Sequence, residues 1–145
     1  MPWPSESELT DLIARFHDAT VPTGEFTHAA HLVVGLWYAT NFDEADALER
    51  IRAGILRVNA AHGTPNSDTR GYHETITRAY LVLLARFARA HPRLAPAALA
   101  QALLESDLGK RDALLTWYSR DVLMSLDARR AWVEPDRQPL DALPV

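Results

Sequence analysis

The chain of 145 residues is 48% hydrophobic and 23% charged, which is typical of a globular domain with a substantial core. Its net charge of -4, and basic residues that are scattered and all arginine except Lys110, argue against a nucleic-acid-binding surface. It has no cysteine, which excludes disulfides and thiolate chemistry, and its longest apolar run, residues 79–85, is too short to span a membrane.

Apolar residues recur with a helical period throughout, and no segment alternates as a strand would. The sequence predicts an all-α fold: one antiparallel helical bundle of five to seven helices over residues 1–145, with tails at 1–4 and 134–145. Ser5 and Glu8 form a capping-box pattern at the first helix, and Gly35 would let another helix approach the second. The predicted helices run from 5 to 19, 27 to 40, just after 41 to 62–63, 69–72 to 90, 96 to 106, and 110 to 133 with a break near 117–119. The residues Trp37, Tyr38, Tyr80, Trp117 and Trp132 are assigned to the core.

Four histidines are predicted at helix ends that share one end of the bundle. His28 and His31 fall in the first turn of the second helix, His62 ends the third helix and His73 begins the fourth. Short connections make successive helices antiparallel neighbours, so these ends should meet. The sequence therefore predicts a histidine-rich pocket.

An inward-pointing imidazole needs a partner, because an unsatisfied buried polar group costs about 1–3 kcal/mol. One candidate partner is a divalent metal ion (zinc, iron, manganese or nickel) bound by His28, His31 and His73. His73, Glu74 and His62 are the candidate catalytic residues, with His62 or Glu74 completing the ligand set or acting as base. The other candidate partner is a polar substrate, with one histidine as general acid or base.

The loop at 63–71 is predicted to rim the same end of the bundle. Thr64, Arg70 and Tyr72 are therefore candidate substrate-binding residues, although the loop's Pro, Asn and Gly residues equally indicate a simple turn. The H-E-x-x-H signature of zinc proteases is absent, because Thr77 stands where its second histidine would be.

Three arginines of the last helical region are also candidates. The guanidinium of Arg120, Arg129 or Arg130 could bind a substrate carboxylate. Pairing with acidic residues of the same region is the favoured interpretation. Those acidic residues are Asp121, Asp127 and Glu134.

The motifs F-T-H-A-A-H-L at 26–32 and G-Y-H-E-T-I-T at 71–77, with the late segment at 125–140, resemble those of a known family. It comprises small bacterial all-helical proteins of unknown function with F-x-H-x-x-H and G-Y-H-E-T motifs. The resemblance covers about residues 26–140 and implies a helical fold but no reaction. It also implies that His28, His31, His73, Glu74 and Thr75 are the positions to test.

The leading hypothesis is a divalent-metal-binding protein with a His-rich pocket, acting as a small-molecule hydrolase or another metal-dependent enzyme. Two alternatives stay open: a metal-free enzyme or small-ligand binder using the same histidines, and a non-catalytic helical interaction module. The partners considered are a small-molecule ligand and a second copy in a homodimer; nucleic acid and membrane are not expected. Because no secretory signal is recognisable, we expect a bacterial cytoplasmic protein.

Overall fold

The computed structural model describes residues 2–142 and 144–145 and shows an all-α protein, as predicted. Across these residues there is no strand, and no helix combines the length and apolar character needed to cross a membrane. The α-helices are α1 (Glu6–Asp18), α2 (His28–Asn41), α3 (Glu44–His62), α4 (Glu74–Ala90), α5 (Pro96–Glu105), α6 (Arg120–Leu123) and α7 (Leu126–Arg130).

Local capping explains where α1 and α3 begin. The Ser5 hydroxyl accepts a hydrogen bond from the Glu8 N–H at 3.2 Å, and the Glu8 carboxylate accepts one from the Ser5 N–H at 3.0 Å. Asp43 caps α3 by accepting from the Asp46 N–H at 2.8 Å. These groups satisfy donors that the first helical turn leaves unpaired, so both helices begin close to their predicted starts.

The fourth helix begins at Glu74, later than the predicted 69–72. Gly71 has φ 85°, and a Cβ there would lie 2.5 Å from the Pro65 carbonyl oxygen. The loop therefore closes tightly on itself, held by the Asn66 side-chain oxygen, which accepts from the Tyr72 N–H at 3.0 Å. Helical geometry becomes possible only after this turn.

Helix α2 lies at the centre of the bundle and packs against α1, α3, α4 and α5. It is apolar on most of its circumference, as expected for a helix with neighbours on several sides. Gly35 permits the close approach of α4, because a Cβ at this position would lie 2.9 Å from Leu84 Cδ1. The predicted role of this glycine is confirmed.

The region 110–133 is more broken than the sequence predicted. It contains a 3-10 turn (Ala113–Thr116), then α6 and α7, with the predicted interruption at 117–119. The segment after α7 returns across this region: the Arg137 N–H donates to the Trp117 carbonyl at 2.9 Å, and the Ser119 N–H donates to Asp136 at 2.7 Å. One hydrogen bond between backbone groups and one from a backbone N–H to the Asp136 side chain thus fasten the predicted tail to the rest of the molecule.

Candidate functional site

A cavity of about 370 Å³ opens between α2, α3 and α4, along the first halves of α2 and α4. Side chains one helical turn apart form its walls, as Ile51 and Ile55 do on α3 and Thr77, Tyr80 and Leu84 do on α4. The apolar part of the lining comprises Phe16, Phe26, Leu32, Val34, Ile51, Ile55, Ile76, Leu81 and Leu84. We call this space the apolar cavity.

His31 lies at the edge of the apolar cavity and keeps part of its ring exposed. Its ring stacks on Phe26 with 3.7 Å between the centroids, and its Nδ1 lies 2.8 Å from the Thr27 carbonyl oxygen. A carbonyl can only accept, so Nδ1 carries the proton, and Nε2 of the neutral ring is an acceptor. The stacking and this hydrogen bond hold the imidazole in a defined orientation.

His28, Ile76 and Tyr80 line both the apolar cavity and a neighbouring pocket of about 360 Å³. We call this second space the arginine pocket, because Arg111 and Arg120 also line it, beside Asp112 and several apolar residues. The His28 and Tyr80 rings meet edge to face with 6.3 Å between centroids. They form a shared boundary between a mainly apolar space and a charged one.

His28 is half-buried, and its Nε2 atom is buried without a hydrogen-bond partner among residues 2–142 and 144–145. Such an atom is unusual, because most buried polar atoms in folded proteins have a partner. Depending on the tautomer, Nε2 can donate or accept one hydrogen bond. The boundary between the two spaces therefore holds unused hydrogen-bonding capacity.

Burial sets the protonation of the three titratable groups around the apolar cavity. It lowers the pKa of His28, and the positive charge of Arg111 lowers that pKa further, although the backbone of Lys110 acts in the opposite sense. Burial also lowers the pKa of His31, although the hydrogen bond to the Thr27 carbonyl acts in the opposite sense. Burial raises the pKa of Tyr80 to about 12. At neutral pH these groups are an uncharged pair of imidazoles and a protonated phenol.

His73 is buried away from both spaces and is engaged at both ring nitrogens. Nδ1 accepts a hydrogen bond from the Ile76 N–H at 3.1 Å, which makes His73 the N-cap of α4. Nε2 lies 2.8 Å from the Leu123 carbonyl oxygen and donates to it. Thr75, two residues later in the G-Y-H-E-T motif, donates from its hydroxyl to the Ala131 carbonyl at 2.8 Å. Both residues thus fasten α4 to the C-terminal region.

His62 also binds backbone. Its Nε2 lies 2.6 Å from the Val21 carbonyl oxygen, in the connection between α1 and α2. The side chain therefore ties the end of α3 to that connection, and it does not line either the apolar cavity or the arginine pocket.

Glu74, the other candidate catalytic residue, faces α3 instead of the cavity. Arg52 donates two hydrogen bonds to its carboxylate, at 3.0 and 2.5 Å, and the Tyr72 hydroxyl donates a third at 2.6 Å. Burial of the carboxylate opposes ionisation, but these hydrogen bonds outweigh burial and lower the pKa of Glu74. The same environment raises the pKa of Tyr72, chiefly through burial.

The predicted metal ligands do not meet as one set. In the part of the chain that the structure describes, no group of three or more His, Asp or Glu side chains is arranged to hold a metal ion. His28 and His31 share the apolar cavity, whereas both nitrogens of His73 are hydrogen-bonded to backbone groups. A metal site at His28, His31 and His73 stays a prediction, and it would require the His73 hydrogen bonds to break.

Apart from Arg120, which lines the arginine pocket, the remaining candidate side chains lie outside the two spaces. Thr64 and Arg70 belong to the loop before α4 and line neither of them. Arg130 pairs with Asp68 of that loop at 2.8 Å, and Arg129 donates to the carbonyl of Gly71 at 3.1 Å. The expectation that these arginines pair with acidic residues of their own region is therefore wrong, since the loop folds over α7.

Sequence reasoning missed the apolar cavity and the part played by Tyr80 and Arg111. The sequence assigns Tyr80 to the core because it repeats with Ile76 and Leu84 at helical spacing, and cavity walls have the same pattern as core. Arg111 follows a turn and carries no motif. The available signal was Arg120, whose guanidinium the sequence did nominate for a carboxylate and which lines the arginine pocket.

Comparison with protein-family models, with curated proteins and with solved structures finds no match for this chain. The resemblance to the small bacterial family therefore stays a prediction.

Proposed function

We propose that this protein binds a small, mainly apolar molecule in the apolar cavity. The main support is the cavity itself, which lies between three helices and has a volume of about 370 Å³. Most of its walls are aliphatic and aromatic side chains. Ligand sites in proteins typically occupy about 300–1,000 Å³ and combine apolar walls with a few placed polar groups. Filling such a space removes apolar surface from water, which is the driving force for binding.

The polar groups at the cavity edge support this proposal. His31 is held by Phe26 and Thr27, so its free ring nitrogen has a fixed direction. His28 lines the boundary with the arginine pocket, and its buried Nε2 has no hydrogen-bond partner among residues 2–142 and 144–145. Few, oriented polar groups are what a binding site needs for specificity, and fixing them in advance reduces the ordering cost of binding.

The metal-centred alternative has less support, because the described arrangement commits His73 and His62 to backbone carbonyls. Elemental analysis of protein purified without a histidine tag decides between the two. Stoichiometric metal that is lost in His73→Ala would favour the metal site.

The interaction-module alternative also has less support. Among residues 2–142 and 144–145, the exposed large apolar side chains belong to several stretches of the chain and do not follow one helix face. These side chains are Trp3, Leu56, Leu94, Met124 and Leu126.

A neutral fluorescent probe tests the proposal. N-phenyl-1-naphthylamine, which is apolar and uncharged, should bind with increased fluorescence and saturate at one site. Ile55→Phe places a larger ring in the cavity and should weaken binding about fivefold or more, since overpacking costs about 1–3 kcal/mol. Leu56→Phe is the matched control, because Leu56 is the next residue of α3 and is 38% exposed.

The proposal is overturned if the folded wild-type protein does not bind the probe. Equal affinity for the probe in Ile55→Phe and Leu56→Phe would also overturn it, because binding would then lie elsewhere on the molecule. Circular dichroism confirms that both variants retain their helices.

A further inference from the structure

We propose that the natural ligand is an amphipathic anion, with its apolar body in the apolar cavity and a single acidic head group, such as a carboxylate, in the arginine pocket. This inference rests on the proposed function and names its ligand class. The two spaces share His28, Ile76 and Tyr80 as lining residues, so they adjoin at these three side chains, and the proposed ligand reaches from one space into the other across them.

The charges of the arginine pocket favour an anion. Arg111 and Arg120 are both exposed there, and neither guanidinium forms an ion pair with any carboxylate in the described parts of the chain. The neighbouring Lys110 is already paired with Asp107 at 3.0 Å. Asp112 contributes the one carboxylate that lines the pocket, so two positive charges face one negative charge.

The neutral groups at the boundary suit the same head group. Asp112 acts electrostatically on Tyr80, whose phenol keeps its proton at neutral pH and can donate it in a hydrogen bond. The positive charge of Arg111 is close enough to His28 to lower the pKa of that imidazole. A carboxylate between Tyr80 and the two arginines would therefore meet donors from the boundary and from the pocket, which is how planar acidic groups are commonly bound.

A single ion pair between an exposed arginine and a carboxylate is weak, and this limits the expected gain in affinity for the anion. An exposed ion pair contributes up to about 1 kcal/mol, which is about fivefold in affinity. We therefore expect a modest preference for the anion, carried jointly by two arginines. We also expect salt to screen that preference.

The test compares decanoate with decan-1-ol, which share an apolar chain and differ in head group. Each displaces N-phenyl-1-naphthylamine from the full-length protein, below the concentration at which decanoate forms micelles. Decanoate should compete about fivefold to tenfold better than decan-1-ol at low salt. Raising NaCl from about 0.05 M to about 0.5 M should reduce that advantage and leave decan-1-ol unchanged.

Two variants and one control locate the head group. Arg111→Gln and Arg120→Gln should each weaken decanoate by up to about fivefold without changing decan-1-ol. Arg93→Gln is the control, because Arg93 is exposed and lines neither space. Exposed arginines are replaceable without loss of the fold, so all three variants are expected to be helical.

Decanoate and decan-1-ol competing equally, with no effect of either arginine, would overturn the anion inference while the proposed apolar binding stands. Failure of the probe itself to bind overturns both. Loss of decanoate affinity in Arg93→Gln as large as in Arg111→Gln would also overturn it, because the effect would then be one of net charge.

Discussion

His73 joins two parts of the molecule through one imidazole. It is 7% exposed, caps α4 through Nδ1 and donates from Nε2 to the Leu123 carbonyl. Only the neutral tautomer with its proton on Nε2 satisfies both contacts, because the Ile76 N–H needs an acceptor and a carbonyl needs a donor. Burial lowers the pKa of His73, which keeps that tautomer populated at neutral pH.

We predict that His73→Ala destabilises the protein by about 1–3 kcal/mol, since it removes an N-cap and leaves a buried carbonyl unsatisfied. His73→Asn can restore the cap but is too short to reach Leu123, so it should cost less than alanine. Urea denaturation at pH 7.5 measures both. His17→Ala is the control, because His17 is exposed and its ring pairs with the neighbouring Asp18.

A His73→Ala variant as stable as His17→Ala would contradict this account of His73. The position of this histidine at a helix start could be predicted from the sequence. Its partner could not, because Leu123 is 50 residues away and offers only a backbone carbonyl, which every residue has.

A hydrogen-bonded cluster joins α3 to the first turn of α4. Arg52 on α3 and Tyr72 before α4 both donate to the carboxylate of Glu74, the first residue of α4. A carboxylate in the first turn also interacts favourably with the helix dipole. This cluster fixes the start of α4 against α3, next to Ile55 and Ile76, which line the apolar cavity.

We predict a coupling free energy of about 1 kcal/mol between Arg52 and Glu74, from a double-mutant cycle with Arg52→Gln and Glu74→Gln. Two charge-assisted hydrogen bonds could give more, but the Arg52 side chain is 39% exposed and solvent screens the pair. The control cycle uses Asp46 and Arg50, an exposed pair on one helix expected to couple by about 0.3–0.5 kcal/mol.

A coupling for Arg52 and Glu74 no larger than that of the control pair would show that the cluster does not fix α4. Chemical denaturation of the four proteins in each cycle gives both values. Because the cycle isolates the pair, the separate contact of Arg50 with the Phe42 ring does not enter the control.

At the scale of elements, prediction succeeded where the signal is local. The caps of α1 and α3 are formed by residues within one turn of each helix start. The bounds of α5 follow from Pro96 and Ser106. The start of α4 and the fragmentation of 110–133 depend on contacts with distant segments. Gly71 closes its loop against Pro65, and the Arg137 backbone binds Trp117 between short helical pieces.

At the scale of the whole molecule, the bundle places His28 and His31, which share one helix start, at the same cavity. His62 and His73 lie outside that cavity and bind backbone carbonyl groups instead. The apolar cavity arises where three helix faces fail to fill the space between them. No single segment encodes such a gap, because its walls have the composition and period of an ordinary core.

The environment of the buried and partly buried titratable groups makes the free energy of unfolding depend on pH in a defined direction. Folding lowers the pKa of His28, His31 and His73 below 6.5 and that of Glu74 below 4.5. The unfolded chain therefore binds more protons than the folded one as pH falls. Stability should decrease below about pH 6.5 and decrease further below about pH 4.5.

The tyrosines set the alkaline limit. Burial raises the pKa of all four above 10.0, so the folded protein keeps phenol protons that the unfolded chain releases. Stability should therefore fall again above about pH 10, which leaves a plateau between about pH 7 and pH 9. This dependence follows from the fold and needs no ligand.

We predict this profile for the free energy of unfolding measured by urea between about pH 3.5 and pH 11. His28→Phe removes one imidazole with a lowered pKa and should reduce the slope between pH 5 and pH 6.5. His17→Gln is the control variant, since His17 is exposed at the surface of α1. A flat profile from pH 5 to pH 7 in the wild-type protein would contradict the burial of these imidazoles. A His28→Phe slope equal to that of the wild type would mean that His28 is as solvated in the folded state as in the unfolded chain, and the boundary between the two spaces would then be open to water.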